Sequence, residues 1–272
     1  MTDSVKKIDV GAILKQRAAR YWKFIPRWAV RWLERTIHQD EINHLLECIG
    51  DKKNVEAADI ILNELGISVE VKGMENLVQG RRYVFASNHP LGGLDGITLI
   101  QLIGSHYNGN IRFMVNDLLM HVYPFKEIFM PVNKFGRQSR EGAQMIDEQF
   151  GGDNQMITFP AGLCSRMQPD GTIADLKWHK HVVSRAIHDH RDVVPVKFDA
   201  VNSRSFYRLA KWRKRLGIKF NFEQLYLPDE LFKKRGDTLH VIVGEPVPYT
   251  MLDAANPKQE AARLRDIVYD LK

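Results

Sequence analysis

Residues 87–96 read SNHPLGGLDG and follow a short apolar run, YVFAS. His89 and Asp95 lie six positions apart, with Pro90, Gly92 and Gly93 between them. A neutral imidazole can take a proton from a hydroxyl as that oxygen attacks an electrophile. A carboxylate on the other ring nitrogen fixes the tautomer and stabilises the imidazolium that forms. On a regular helix an offset of six puts the two side chains on different sides, so they meet only if the chain bends. Gly92 and Gly93 permit that bend, positive φ included, and Pro90 stiffens the exit from the strand. The same residues also fit a glycine-rich turn in which Asp95 caps the next helix.

A second loop, FPAGLCSR at 159–166, follows another apolar run, QMIT. It carries Cys164, a candidate nucleophile whose pKa would fall only if Arg166 turned toward it. Two further groups compete with these loops. WHKHVVSRAIHDH holds His179, His181, His188 and His190. Imidazole is a common zinc ligand, yet His-x-His on a helix points its members to different sides, and no companion metal motif is present. No metal site is expected. YRLAKWRKRLGIK, residues 207–219, interleaves cations with aromatics. Nucleic acid could use such a stretch, and so could an anionic headgroup, a carrier protein or a coenzyme phosphate. No recognised nucleic-acid module accompanies it, so nucleic acid is not the expected partner. Gly-x-Ser-x-Gly, P-loop and dinucleotide fingerprints are absent from the sequence.

These loops need a frame to hold them. From about residue 70 short apolar runs alternate with helical patterns. YVFAS, IRFMVN, MPVN, QMITFP, VVPVKFDAV and TLHVIVGEPV read as strands. ITLIQLIG, LLMHVYPFKEIF, SREGAQMIDEQF, LKWHKHVVSRAI and SFYRLAKWRKRL read as helices. A closing helix starts at Asn256-Pro257 and carries Leu264, Ile267, Val268 and Leu271 on one side. This alternation predicts an α/β fold: a layered αβα domain over residues 71–272 with a mostly parallel central sheet. In such sheets sites collect beyond the carboxyl ends of strands, where both loops fall.

Residues 1–70 read as a helical segment. In 11–37, Leu14, Ala18, Tyr21, Ile25, Trp28, Trp32 and Thr36 share one side of a helical wheel, and Arg20, Lys23, Arg27 and Arg31 fall mostly opposite. Pro26 kinks this helix or starts a second one. A basic amphipathic helix with tryptophan anchors suits a membrane interface. The same face would also serve for packing on a core.

At 272 residues, 44% hydrophobic and 26% charged, the composition is globular. Two cysteines, Cys48 and Cys164, are too few for a disulfide framework and fit a reducing compartment. A formal charge of +6 favours anionic partners. The opening stretch lacks the apolar core of a signal peptide, and no window approaches the roughly 18 apolar residues of a membrane span. A peripheral or monotopic place on the cytoplasmic face of the inner membrane is the expectation.

NHPLGGLDG followed some seventy residues later by FPAGLCSR resembles the PlsC-type glycerolipid acyltransferase family, which includes lysophosphatidate acyltransferases. That family has four ordered blocks. Asn88, His89 and Asp95 match the first, and MPVNKFGR, ending in Arg137, resembles the second. Phe159, Pro160, Gly162 and Ser165 match the third, and VVPV with Pro195 the fourth. The likeness covers about residues 70–200. It implies transfer of a fatty acyl chain from acyl-CoA or acyl-carrier protein, as co-substrate, to a lyso-lipid hydroxyl, with no cofactor. His89 would be the general base and Asp95 its partner. The oxyanion would need donors, sought among the backbone N–H groups of the glycine loops or near the following helix start. Arg137 and Arg166 are candidates for holding phosphate or carboxylate, since a guanidinium binds either in a bidentate way. Gly162, Ser165, Lys177 and Arg140 are further substrate-site candidates. The sequence departs from the family in three places. His89 to Asp95 is one residue longer than usual, a length shared by a subset with NHP-x-G-x-x-DG. Ala161 stands where the family has Glu, and Cys164 where it has Arg. The altered third block tilts the acceptor from lysophosphatidate toward a lyso-aminolipid of glycine or ornithine type. The rival readings are a non-catalytic module for anionic lipid or nucleic acid, and a thioester hydrolase.

Overall fold

Tyr83–Ser87 is buried at every position, which marks a strand covered on both faces. In chain order it is the second of seven strands that share one sheet. These are β1 (Ser68–Lys72), β2 (Tyr83–Ser87), β3 (Ile111–Asn116), β4 (Phe129–Val132), β5 (Gln155–Thr158), β8 (Asp192–Phe198) and β9 (Thr238–Val243). Their order across the sheet is β1-β9-β8-β2-β5-β3-β4. All neighbours run parallel except β8 and β9. Two short strands, Arg166–Met167 (β6) and Ile173–Ala174 (β7), form a separate hairpin. The computed structural model describes residues 7–17, 19–20, 22–116, 119–120, 122–132 and 140–272.

Strand side chains alternate between two cores, as the period of two requires. Tyr83 and Phe85 join one cluster with Leu45, Ile61, Leu94 and Ile103. That face is covered by α3 (Gln39–Ile49), α4 (Asn54–Glu64) and α5 (Gly93–His106). Val84 and Ala86 join the other, with Phe150, Val183, Leu264 and Val268. Its helices are α6 (Arg140–Gly151), α7 (His181–His188) and α10 (Pro257–Asp270). The result is the expected αβα layering. Truncating a large member such as Phe85 to alanine removes about 3–5 kcal/mol of stability.

The N-terminal helices are α1 (Val10–Arg17) and α2 (Arg27–Thr36). Pro26 is the N-cap of α2 and so starts a second helix, while the first already ends at Arg17 and a 3₁₀ turn at Trp22–Phe24 lies between them. Ala18 and Tyr21 lie outside the described residues. No residue of α2 is buried. Toward the other end lie α8 (Arg204–Arg215) and α9 (Leu227–Lys233). Among the described residues no helix is long and apolar enough to cross a membrane.

Two local expectations fail. LLMHVYPFKEIF is not one helix: its described residues make a 3₁₀ turn at Tyr123–Phe125, and Phe129 already belongs to β4. Pro124 explains this, because it sits in the first turn of the 3₁₀ element, where its missing N–H is tolerated, whereas a longer helix running through it would lose a backbone hydrogen bond. The helix expected from Leu176 begins only at His181, since the preceding residues are held by bonds to the 159–166 loop, such as His179 N–H to Pro160 O at 3.0 Å.

Candidate active site

Parallel pairing sets the two site loops side by side. Ala86 of β2 is in register with Thr158 of β5, so both chains leave the sheet at the same edge. The loop after β2 is then anchored to its other neighbour. Asn88 donates its side-chain N–H to Phe198 O at 3.0 Å and accepts the Phe198 N–H at 2.7 Å, a surrogate strand pair that fixes where His89 emerges. The loop after β5 closes on the first: Ser165 N–H donates to His89 O at 2.8 Å.

His89 Nδ1 and Asp95 Oδ2 are 2.9 Å apart. The same carboxylate oxygen accepts the Leu91 N–H at 2.8 Å and the Gly92 N–H at 3.1 Å. Asp95 therefore caps α5 and orients the imidazole at once, so the turn and the acid–base pair are one construction. Gly92 makes the bend with φ +79°, and a Cβ there would stand 3.0 Å from a Leu227 methyl and 3.5 Å from the Cys164 sulfur. Only glycine meets both demands. The Leu91 and Gly92 N–H groups, engaged by Asp95, are not open to an oxyanion.

Asp95 is fully buried, while 17% of the His89 side chain reaches solvent. The imidazole stacks on Phe159, with centroids 3.9 Å apart and planes at 14°. Burial pushes the Asp95 carboxyl up, against the pull of the His89 ring and the two amides. For His89 burial disfavours the cation, but Cys164 beside the ring and the Asp95 carboxylate outweigh it and raise its pKa. With Nδ1–H given to Asp95, Nε2 carries the lone pair that can accept a proton.

Asp175 is a residue that sequence reasoning missed. It is buried, and its Oδ1 accepts the His89 N–H at 3.2 Å and the Ser165 hydroxyl at 2.7 Å. Its Oδ2 accepts the Trp178 indole N–H at 2.9 Å, and its own N–H donates to the Tyr269 hydroxyl at 2.7 Å. One carboxylate thus ties both loops together. Nothing in the local pattern TIADLKW announces this, because apart from Trp178 its partners lie outside that stretch.

The other candidates separate. Gly162, at φ +66°, makes the turn that closes 159–162, and the Ser165 side chain is held by Asp175. Arg166 donates to Cys164 O at 3.0 Å and Ser165 O at 3.3 Å, and pairs with buried Glu223 at 3.2 Å. Its bonds brace the loop from within. Lys177 is exposed and makes no hydrogen bond or ion pair among the described residues. Arg137 lies outside the described residues, as does the side chain of Arg140. In the histidine-rich stretch at 179–190, burial and the neighbouring Arg185 push the His181 pKa down.

An acyltransferase family profile matches residues 12–272. The chain belongs to the acyltransferase family. Its sequence is 45% identical over 270 residues to the lyso-glycine lipid O-acyltransferase of Phocaeicola vulgatus, covering 99% of this chain and 96% of that one. It is 46% identical to the protein of the same name from Bacteroides thetaiotaomicron, covering 99% of each. The solved 1-acyl-sn-glycerophosphate acyltransferase PlsC of Thermotoga maritima shares 16% identity at a TM-score of 0.46, over 96% of this chain and 97% of that one. Family membership, which rests on the sequence matches, makes this chain an acyltransferase enzyme.

Proposed function

We propose that this acyltransferase moves a fatty acyl chain from acyl-CoA or acyl-carrier protein to the hydroxyl of a lyso-glycine-type lipid. His89 acts as general base. The observation that carries the reading is the 2.9 Å bond from His89 Nδ1 to Asp95, which fixes the tautomer with the lone pair on Nε2. Nε2 takes the hydroxyl proton as that oxygen attacks the thioester carbonyl. The tetrahedral intermediate collapses, the C–S bond breaks, and the proton passes from His89 to the departing sulfur. The relatives' names support the glycine-lipid acceptor.

The acyltransferase works as a peripheral protein on the cytoplasmic face of the inner membrane, with α1 and α2 as its interfacial part; α3, α4 and the start of β1, which complete the expected 1–70 segment, belong to the core instead. Phe24 and Trp28 are 82% and 72% exposed. A second exposed set, Trp212, Leu216, Ile218 and Phe220, adjoins the cations of α8. Trp32 of α2 meets Tyr226, just beyond that set, at 6.3 Å between ring centroids. Aromatic and aliphatic groups among cations suit an anionic bilayer surface.

The test is turnover of purified protein with acyl-CoA or acyl-carrier protein and an N-acyl glycine lyso-lipid. A diacylated product is expected, and His89→Ala should lower the rate about 10²- to 10⁴-fold with circular dichroism unchanged. Free fatty acid without acylated lipid would show a hydrolase. Lipid binding without turnover in the wild type would show a binding module.

A further inference from the structure

Arg204 and Arg208 lie four apart on α8, on one face of the helix. Unlike Arg166, both are exposed and neither makes an ion pair among the described residues. With Asn202, Tyr207, Met167 and Ile173 they line a groove of about 610 Å³, and no acidic residue lines it. The groove adjoins the catalytic loop. Asn202 donates its side-chain N–H to Pro90 O at 3.0 Å, one residue from His89, and its backbone N–H to the Tyr207 hydroxyl at 3.1 Å. The Asn202 side-chain oxygen is buried and has no hydrogen-bond partner. A buried acceptor in that position lacks a donor.

We infer that this groove holds the headgroup of the acyl acceptor, an N-acylated amino acid, with its carboxylate on Arg204 and Arg208. The inference rests on the acyl-transfer reading above. Two guanidiniums from one helix face match a carboxylate. Met167 and Ile173 offer an apolar surface to lipid methylenes. An N-acyl amino acid brings an amide N–H toward the Asn202 side, which a coenzyme phosphate does not. The position beside Pro90 brings the acceptor hydroxyl toward His89.

The experiment compares wild type with the Arg204→Gln/Arg208→Gln double variant. The acceptors are an N-acyl glycine lyso-lipid as free acid and as its methyl ester; the donors are acyl-CoA and acyl-pantetheine. Wild type should prefer the acid by about tenfold, the worth of a charge-assisted hydrogen bond. In the double variant the acid-to-ester ratio of kcat/KM should fall toward one and the acceptor KM should rise. Equal use of acid and ester by wild type, or a preference that survives the substitutions, overturns the inference. So does a change confined to the acyl-CoA to acyl-pantetheine ratio, which would assign the groove to the coenzyme. Transfer to neither acceptor by wild type would instead overturn the acyl-transfer reading, and this inference with it.

Discussion

The 88–95 loop and the 212–220 segment treat their side chains in opposite ways. In the loop the functional polar groups are tied down: Asn88 to Phe198, Asp95 to Leu91 and Gly92, the His89 backbone to Asp175 and Ser165. In the segment the backbone is hydrogen-bonded while several large apolar side chains stay exposed. Ile218 N–H donates to Arg213 O and Gly217 N–H to Lys214 O, a helix end closed by a glycine at φ +70°. Such an end usually packs an apolar residue after the glycine against the last turn, yet Trp212 and Ile218 remain 67% and 41% exposed. Proton transfer needs groups held within a few tenths of an ångström of their working place. Docking on a lipid surface needs apolar area kept available.

The sharpest way to break that contrast is at Asp95. The substitution Asp95→Asn keeps an oxygen that can accept from Leu91, Gly92 and Nδ1, but it removes the negative charge that stabilises the imidazolium formed as the proton moves. A rate loss of about 10²- to 10⁴-fold is expected. The pH profile separates electrostatics from mere folding. The base works only as the neutral ring, so kcat/KM is lost as pH falls through the His89 pKa. Burial pulls that pKa down, but Cys164 and Asp95 together raise it further in the native protein, which places the acid limb above the ordinary histidine value. Removing the carboxylate should move the limb to lower pH. A limb that stays in place would show that Asp95 only caps α5.

A smaller effect tests whether the two loops form one rigid unit. Asp175→Asn removes acceptor capacity from a buried side chain that serves the His89 N–H, the Ser165 hydroxyl and the Trp178 indole. Leaving one of these donors unpaired should cost about 1–3 kcal/mol, visible as a lower denaturation midpoint, and kcat should fall with it. A variant of native stability and activity would mean that the loops hold their places without this bridge.

The sequence exposes some of this and hides the rest for physical reasons. The mostly apolar YVFAS and the spacing of His89, Gly92 and Asp95 are local signals, and both became local structure. The same holds for the cationic run on α8. Asp175 and Glu223 were invisible because a buried acid is defined by partners up to 86 and 57 positions away. The strand β1 was missed because Ser68–Lys72 is a partly exposed edge, paired with β9 about 170 positions later. Periodicity tells which face of an element is buried. It does not tell which distant segment lies across from it.

The smallest effect belongs to the exposed side of the comparison. Between Ala200 and Phe222 the chain has seven lysines and arginines and no acidic residue, with Trp212, Leu216, Ile218 and Phe220 exposed among them. Nucleic acid would use the charges and the aromatics but has no use for exposed leucine and isoleucine, whereas a bilayer interface uses all of them. Trp212→Ala with Phe220→Ala should weaken sedimentation with phosphatidylglycerol vesicles by about tenfold, since each ring enters the interface only in part. High salt should weaken the wild type as well, because the cationic contribution is screened. Turnover of a detergent-dispersed acceptor should change little, since neither ring lies in the His89 loop or the groove beside it. Vesicle binding equal to wild type would show that the exposed apolar groups meet something other than lipid, and would leave α1 and α2 as the membrane contact.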